Sequence, residues 1–296
     1  MPALLRRLSR TDTVSGWALV SPAAILIGIF GLLPVLMSLQ LSFQKSDLLS
    51  AETPWVGFDN YKKLADDPVF VEAIKHTIIY TALFVPGTML VGLFVAAALN
   101  RSVRFISVYR TAAYVTMAVS TISQGIIFLW LTDRDYGLIN AALNAVGVSS
   151  QPFLASPSQA LYVIVAMTVW GWTGFSVIVY LAALQGVPAE LHEAAAIDGA
   201  SAFTRFRTIT VPLLGPANLF LVVWLTINAL QLFDEVYVTT RGGPLRATTV
   251  IVYYLWDRAF VQFDAGYAAA MAYALFVVIL IVTAVQFRLA RRHVHS

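Results

Sequence analysis

The sequence predicts an all-α membrane protein with six transmembrane helices and both termini on the cytoplasmic side. Of 296 residues, 59% are apolar and only 12% charged, too little polar surface to clothe a soluble domain of this length. Six stretches carry no charged residue: Asp12 to Lys45, Lys75 to Arg101, Arg110 to Asp133, Asp135 to Glu190, Arg207 to Asp234 and Asp264 to Arg288. Each reaches the roughly 20 residues a helix needs to cross hydrocarbon. Charge also alternates across them, with eleven Arg against four acids on one side and eight basic residues against twelve acids on the other. The positive-inside rule places the first side in the cytoplasm.

The elements follow in order. Residues 1–16 form a cytoplasmic tail with Arg6, Arg7 and Arg10, and the first span runs over 17–43. That segment is too long for a secretory signal and lacks a small-residue cleavage site, so it is expected to stay attached as a more peripheral helix. Residues 44–76 are external and include VGFDNYKKLADDPVF, an amphipathic stretch suited to lie on the surface. A five-helix core over 77–288 follows, with spans at Thr77 to Leu99, Thr111 to Leu131, Ala160 to Leu184, Leu213 to Phe233 and Tyr267 to Phe287. Gly137, Gly147, Ser149, Pro152, Ser156 and Pro157 turn the long stretch after Asp135 into loop before the fourth span begins. Residues 289–296 are a second cytoplasmic tail, and no repeat or linker divides the chain.

The loop 185–212 is the most informative segment, because it is polar and lies between two long apolar spans. Pro188 stands where a helix N1 residue belongs, Glu190 and Glu193 suit the first turns, and Gly199 suits a left-handed stop. Ala200 to Ile209, with Arg205 and Arg207, provides a second short helix before Pro212. The segment EAAAIDGASAFTRFRTITVP resembles the cytoplasmic loop of permease subunits in binding-protein-dependent ABC importers. Their pattern is E-A-A, three residues, G, nine residues, I-x-L-P, met here by Glu193, Ala194, Ala195, Gly199, Ile209 and Pro212, with Val211 in place of Leu.

The resemblance implies a type I ABC importer permease fold in a bacterial or archaeal inner membrane. Glu193 to Phe203 would then dock into an ATPase subunit, with Glu193, Ala194, Ala195, Asp198, Gly199, Ala200, Phe203, Arg205 and Pro212 as coupling residues. The implied partners are a second, homologous permease forming a heterodimer, an ATPase dimer, an extracytoplasmic solute-binding protein and the lipid bilayer. No nucleic acid is expected, since the Arg residues serve as topology anchors. No GxxxxGK[ST] loop occurs, so this chain is expected to bind no cofactor, with ATP and Mg held by the partner ATPase.

Polar residues inside spans are costly unless they face a cavity or a neighbouring helix. In the fifth span and just beyond it, Trp224, Asn228, Gln231 and Glu235 recur at helical spacing, with Asp234 adjacent. The third span aligns Tyr114, Met117, Thr121, Gln124 and Phe128, and the fourth aligns Thr173, Ser176 and Tyr180. From these, Tyr114, Gln124, Thr173, Tyr180, Trp224, Asn228, Gln231, Asp234 and Glu235 are the candidate solute pathway. Aromatic faces and amides together suit a sugar or polyol. Trp170 and Trp172 read as packing residues. The turn Gly242, Gly243, Pro244 with Thr248 and Thr249 resembles the carbohydrate-type branch of the same permeases, of maltose and glycerol-3-phosphate kind. The aromatic cluster Tyr253, Tyr254 and Trp256 is too short to span.

The expected function is that of a permease subunit moving a sugar or related polyol into the cell by alternating access. Glycerol-3-phosphate or a glycerophosphodiester is the nearest alternative solute. An ion-coupled secondary carrier is the alternative of another class, but the spans hold no titratable group at mid-membrane. An enzyme is not expected: Cys is absent, and His76, His192, His293 and His295 lie at or beyond span ends.

Overall fold

The computed structural model describes residues 2–47, 52–101 and 104–294, of which 2–14 and 290–294 are described by backbone alone. His295 therefore lies outside the described residues. The chain divides into two compact units, Met1–Lys63 with Arg258–Tyr273, and Leu64–Asp257 with Ala274–Ser296.

Helix α1, Pro2–Ile27, continues through a π-helical turn, Gly28–Leu32, into α2, Leu33–Ser42. Pro34 lies at the start of α2, where the wider π turn takes its ring without the clash that an unbroken α-ladder would impose. Asn60, in α3 (Asp59–Asp66), ties the segment after α2 together by donating to the Ser42 and Gln44 carbonyls at 2.9 Å each. Phe43 stacks on Trp55 and meets the edge of Phe58.

The long helix α4, Pro68–Leu99, begins nine residues before the span expected from Thr77. Asp67 is the reason: its carboxylate accepts the Val69 and Phe70 amides, and Pro68 follows it at N1. The charges at Glu72 and Lys75, which bound the expected span, sit in the first turns of this helix. The expected third span is two helices, α5 (Ile106–Ala118) and α6 (Thr121–Leu131), at 99° to each other. After α7, Leu138–Ala145, comes α8, Ala160–Gln185, the fourth span.

The next interruption holds α9 (Ala189–Ile197), α10 (Ala202–Arg205), a π turn Phe206–Thr210 and α11 (Val211–Leu213). Pro212 again follows a π turn. The fifth span is α12, Gly215–Leu230, set at 65° to the segment before it. Then come α13 (Asp234–Thr239), α14 (Ile251–Trp256) and α15 (Ala265–Val294). Among the described residues, four helices are long and apolar enough to cross a membrane, and the two bent pairs bring the count to six if each is one span.

In the second unit α4, α8 and α12 enclose the core, with Tyr80, Phe84, Ile164, Met167, Tyr180, Leu221 and Leu225 fully buried. Within hydrocarbon, helices are held by close packing and interhelical hydrogen bonds rather than by escape from water. The α4–α8 contact shows this: a Cβ at Gly92 would lie 2.4 Å from that of Ser176. Gln286 in α15 donates to the Thr226 hydroxyl of α12 at 3.0 Å.

Candidate functional site

Two regions of the second unit carry functional geometry. The first is the hairpin 189–213. Its helix α9 starts one residue later than expected, because Pro188 has ψ 129° and serves as the N-cap rather than N1. Glu190 lies in the first turn, where a negative charge favours the helix dipole. Gly199, at φ +80°, makes the left-handed stop, with the Ala200 amide bonded to the Ala195 carbonyl at 2.9 Å and Gly199 to Ala196 at 3.1 Å. Ser201 then caps α10 by accepting the Thr204 amide.

The hairpin is closed on itself. Arg205 donates from Nη1 to the His192 carbonyl at 3.2 Å, and Thr210 meets the His192 ring. Glu193, Ala194, Asp198, Gly199, Phe203 and Pro212 are exposed, whereas Ala195, Ala200 and Arg205 are half-buried. At the tip, Ile197 is 87% exposed and Phe203 73%.

The second region is a pair of cavities of 280 Å³ each that share Thr121 and Trp172 as walls. One is polar. Asn228, Gln231, Asp234 and Glu235 line it, opposite Tyr80 and Phe84 of α4. The sequence spacing put Asn228, Gln231 and Glu235 on one helical stripe with Trp224, and Asp234 beside it, but α12 ends at Leu230 and the chain turns at Phe233 before α13 begins. The turn itself wraps them around the cavity. The other cavity is mainly apolar, with Met117, Trp172, Phe175 and Trp224 in its walls. Phe84, Trp172, Phe175 and Trp224 form a row of rings with centroids 6.3, 5.8 and 6.1 Å apart, within the range of edge and offset contacts.

Several predicted pathway residues lie elsewhere. The expected stripe on the third span does not form one face, because the 99° bend at Val119 and Ser120 divides it. Gln124 contributes to the apolar cavity, yet its amide donates to the Val119 carbonyl at 2.9 Å and so satisfies the backbone freed by that bend. Gly171 makes room for it, since a Cβ there would lie 2.1 Å from Gln124 Oε1. Tyr114 packs against the core. Thr173 back-bonds to the Val169 carbonyl at 2.6 Å, and Tyr180, 1% exposed, donates to Asn218 at 2.8 Å. None of these last three lines either cavity.

Trp172, read from sequence as packing, is a wall of both cavities. Tyr80 and Phe84 were not among the candidates. The available signal was their i, i+4 spacing with Thr77 and Thr88 on one side of an otherwise aliphatic span. Trp170 does pack, against Phe128 at 5.9 Å.

The turn after α13 is braced from several directions. Gly242 has φ +78°, and a Cβ there would meet Tyr253 at 2.7 Å and Thr249 Oγ1 at 2.8 Å. Thr248 donates to the Gly243 carbonyl at 2.7 Å and Thr249 to that of Gly242 at 3.1 Å. Arg241, Leu245 and Arg246 also take positive φ, a conformation costly for side chains with a Cβ. Three bonds fasten the following segment to α4: His76 Nδ1 with the Thr249 carbonyl, the Ile251 amide to Thr77, and the Tyr254 hydroxyl to Asp67 at 2.7 Å. In the loop after α6, the half-buried Asp133 accepts the Asp135 amide at 2.8 Å and that of Tyr136 at 3.2 Å, bonds that hold its carboxyl below the usual range.

With this geometry in place, the relatives can be compared. The profile of the family described as "Binding-protein-dependent transport system inner membrane component" matches residues 88–295. The chain belongs to this family. It is 35% identical over 290 residues to the lactose transport system permease protein LacF of Rhizobium radiobacter, covering 96% of each chain. It is 32% identical over 280 residues to the sn-glycerol-3-phosphate transport system permease protein UgpA of Agrobacterium fabrum, covering 94% of this chain and 95% of that one. Its fold matches a chain of the crystal structure of a bacterial ABC transporter that imports the acidic polysaccharide alginate. That match has a TM-score of 0.82 at 24% identity and covers 98% and 99% of the two chains.

The family member is thus a multi-pass inner-membrane permease component of a binding-protein-dependent system, not an enzyme, and ATP hydrolysis belongs to a separate subunit. The expected fold and family stand. These likenesses give no support to an ion-coupled carrier.

Proposed function

We propose that this chain is the permease subunit of an ATP-driven importer that moves a neutral sugar or related polyol into the cell by alternating access. The observation that carries the coupling half is the hairpin tip: with Glu193, Ala194, Ala195 and Gly199 at importer spacing, the hairpin presents Ile197 at the end of α9 and Phe203 in α10 to solvent. Exposed side chains of that size next to a polar helix mark a protein contact. The partner is the cytoplasmic ATPase dimer, which binds ATP and Mg, while this chain holds no cofactor. Both termini and the hairpin lie in the cytoplasm, consistent with the Arg asymmetry. A second, homologous permease completes a heterodimer, and a solute-binding protein delivers cargo from outside.

The solute half rests on the cavities. Trp172, Phe175 and Trp224 provide ring faces for C–H surfaces, and Asn228 and Gln231 provide donors and acceptors for hydroxyls. Asp234 and Glu235 lie beside them and oppose an anionic cargo. Glycerol-3-phosphate or its diesters remain the second reading, favoured by exposed Arg241 and Arg246, which line an outer pocket of 230 Å³. Reconstitution with the partner subunits and uptake of labelled disaccharide against labelled glycerol-3-phosphate decides between them. The expected result is preferential uptake of the sugar, with the ratio shifted toward the phosphate ester in a variant carrying Asp234→Asn and Glu235→Gln. Wild-type preference for the phosphate ester would reverse the assignment.

A further inference from the structure

Behind the hairpin lies a cleft of 540 Å³, walled in part by Glu193 and Arg205. Its floor is apolar, made by Ala97 near the end of α4, Leu184 in the last turn of α8 and Val187 just after it. Its walls carry Asn100, His192, Glu193, Arg205 and Thr210. The volume falls within the range of small-molecule sites, and a mostly apolar floor with a few converging polar groups is their usual composition.

Arg205 is the informative wall residue. Its Nη1 is committed to the His192 carbonyl, while its Nε is buried and has no hydrogen-bond partner. A buried donor left unmet costs about 1–3 kcal/mol. The uncommitted side of the guanidinium, Nε with Nη2, is the edge that takes a carboxylate or phosphate through two parallel bonds. No carboxylate of this chain pairs with it: the ion pairs among the described residues lie elsewhere, and Glu193 is exposed. The cleft is much larger than a bare oxyanion needs, and Asn100, His192, Thr210 and Glu193 supply donors and acceptors for hydroxyl groups.

We infer that this cleft binds a polyhydroxylated organic anion of the cytosol, of the sugar-phosphate class, with the oxyanion on the Nε/Nη2 edge of Arg205 and the hydroxyls on Asn100, His192 and Glu193. One wall is α9 and the floor is the membrane bundle, so an occupant sits between the docking helix and the spans. Binding there opposes movement of α9 toward the bundle and slows the cycle, which makes the site a brake on import by sugar phosphate accumulating in the cytosol. The regulatory part rests on the proposed coupling role of α9; the binding part does not.

The test uses the intact importer in lipid nanodiscs without nucleotide and equilibrium dialysis of radiolabelled glucose 6-phosphate. Saturable binding at one site per copy of this chain is expected, with glucose failing to compete and inorganic phosphate competing weakly. Arg205→Lys, which keeps the charge and loses the fork, is expected to weaken binding about tenfold or more, and Asn100→Leu several-fold. Equal competition by glucose, unchanged binding in Arg205→Lys, or no saturable binding in an importer whose ATPase still responds to loaded binding protein would each overturn the proposal. In the same nanodiscs, glucose 6-phosphate is expected to lower the stimulated ATPase rate several-fold. Retained stimulation when Ile197 and Phe203 are made Asp would instead sink the coupling role and leave the binding result standing.

Discussion

The hairpin 189–213 and the turn 240–256 both interrupt the spans of one compact unit, and they are built in opposite ways. Every described side-chain hydrogen bond of the hairpin, among His192, Ser201, Thr204, Arg205, Thr208 and Thr210, stays within the hairpin. The turn 240–256 bonds to α4 and its cap at His76, Thr77 and Asp67. One is a self-contained unit offering apolar side chains outward, and the other is bolted to a helix. The contrast is sharpest at their glycines. Gly199 and Gly242 have nearly the same φ, but nothing lies within 4 Å of a Cβ at Gly199, whereas one at Gly242 meets two side chains below 3 Å.

Replacing each by Val separates the two designs. Gly242→Val combines strain at positive φ with a clash, and should destabilise the permease by roughly 3 kcal/mol or more, read as a large fall in melting temperature and folded yield in detergent. Gly199→Val carries only the backbone strain, about 1–2 kcal/mol, confined to the hairpin. It should leave membrane insertion and melting nearly unchanged while lowering uptake and stimulated ATPase at least tenfold. Equal melting of the two variants would break the comparison.

A second experiment sharpens it. Phe203→Asp removes an exposed ring that, buried against a partner, contributes about 1.5–3 kcal/mol, so co-purification with the ATPase should weaken by one to two orders of magnitude with no change in the melting of the isolated permease. At the turn 240–256, Tyr254→Phe deletes the bond to the Asp67 carboxylate, worth about 1.5–3 kcal/mol. It should lower the melting temperature by a few degrees and leave ATPase binding intact.

The smallest effect concerns pH. Because the Asp133 carboxyl is held below its ordinary range by the Asp135 amide first and the Tyr136 amide second, its contribution is complete above the ordinary carboxylate range. That contribution is lost as pH falls through the lowered folded value. A carboxyl-carbon NMR titration should place its midpoint below that of a free Asp, and a midpoint at or above the free value would refute the turn geometry.

Much of this was legible in the residues. Charge-free stretches located the spans because ionised groups in hydrocarbon are too costly to scatter, and Gly199 marked the end of α9 because only a left-handed residue closes that turn. The bend between α5 and α6 was not legible. No Gly or Pro stands at Val119 and Ser120, and the backbone opens there because Gln124, in contact with side-chain-free Gly171, satisfies it from the next helix. The start of α4 was misplaced because Glu72 and Lys75 read as loop, while the governing signal was the cap at Asp67 and Pro68. Half the cavity was visible as a stripe near α12. Tyr80, Phe84 and Trp172 were not, since a helical face shows which side chains lie together but not which helix they will meet.

The closeness of Gly92 to Ser176 has a mechanical consequence. Dispersion contacts weaken within a fraction of an ångström of separation, so a seam whose backbones nearly touch has no intermediate degree of opening. The two longest spans of the unit therefore travel as one rod. Any reshaping of the cavities must be taken up at the hinges where the ladder is already interrupted, at Val119 and Ser120 and at Leu214.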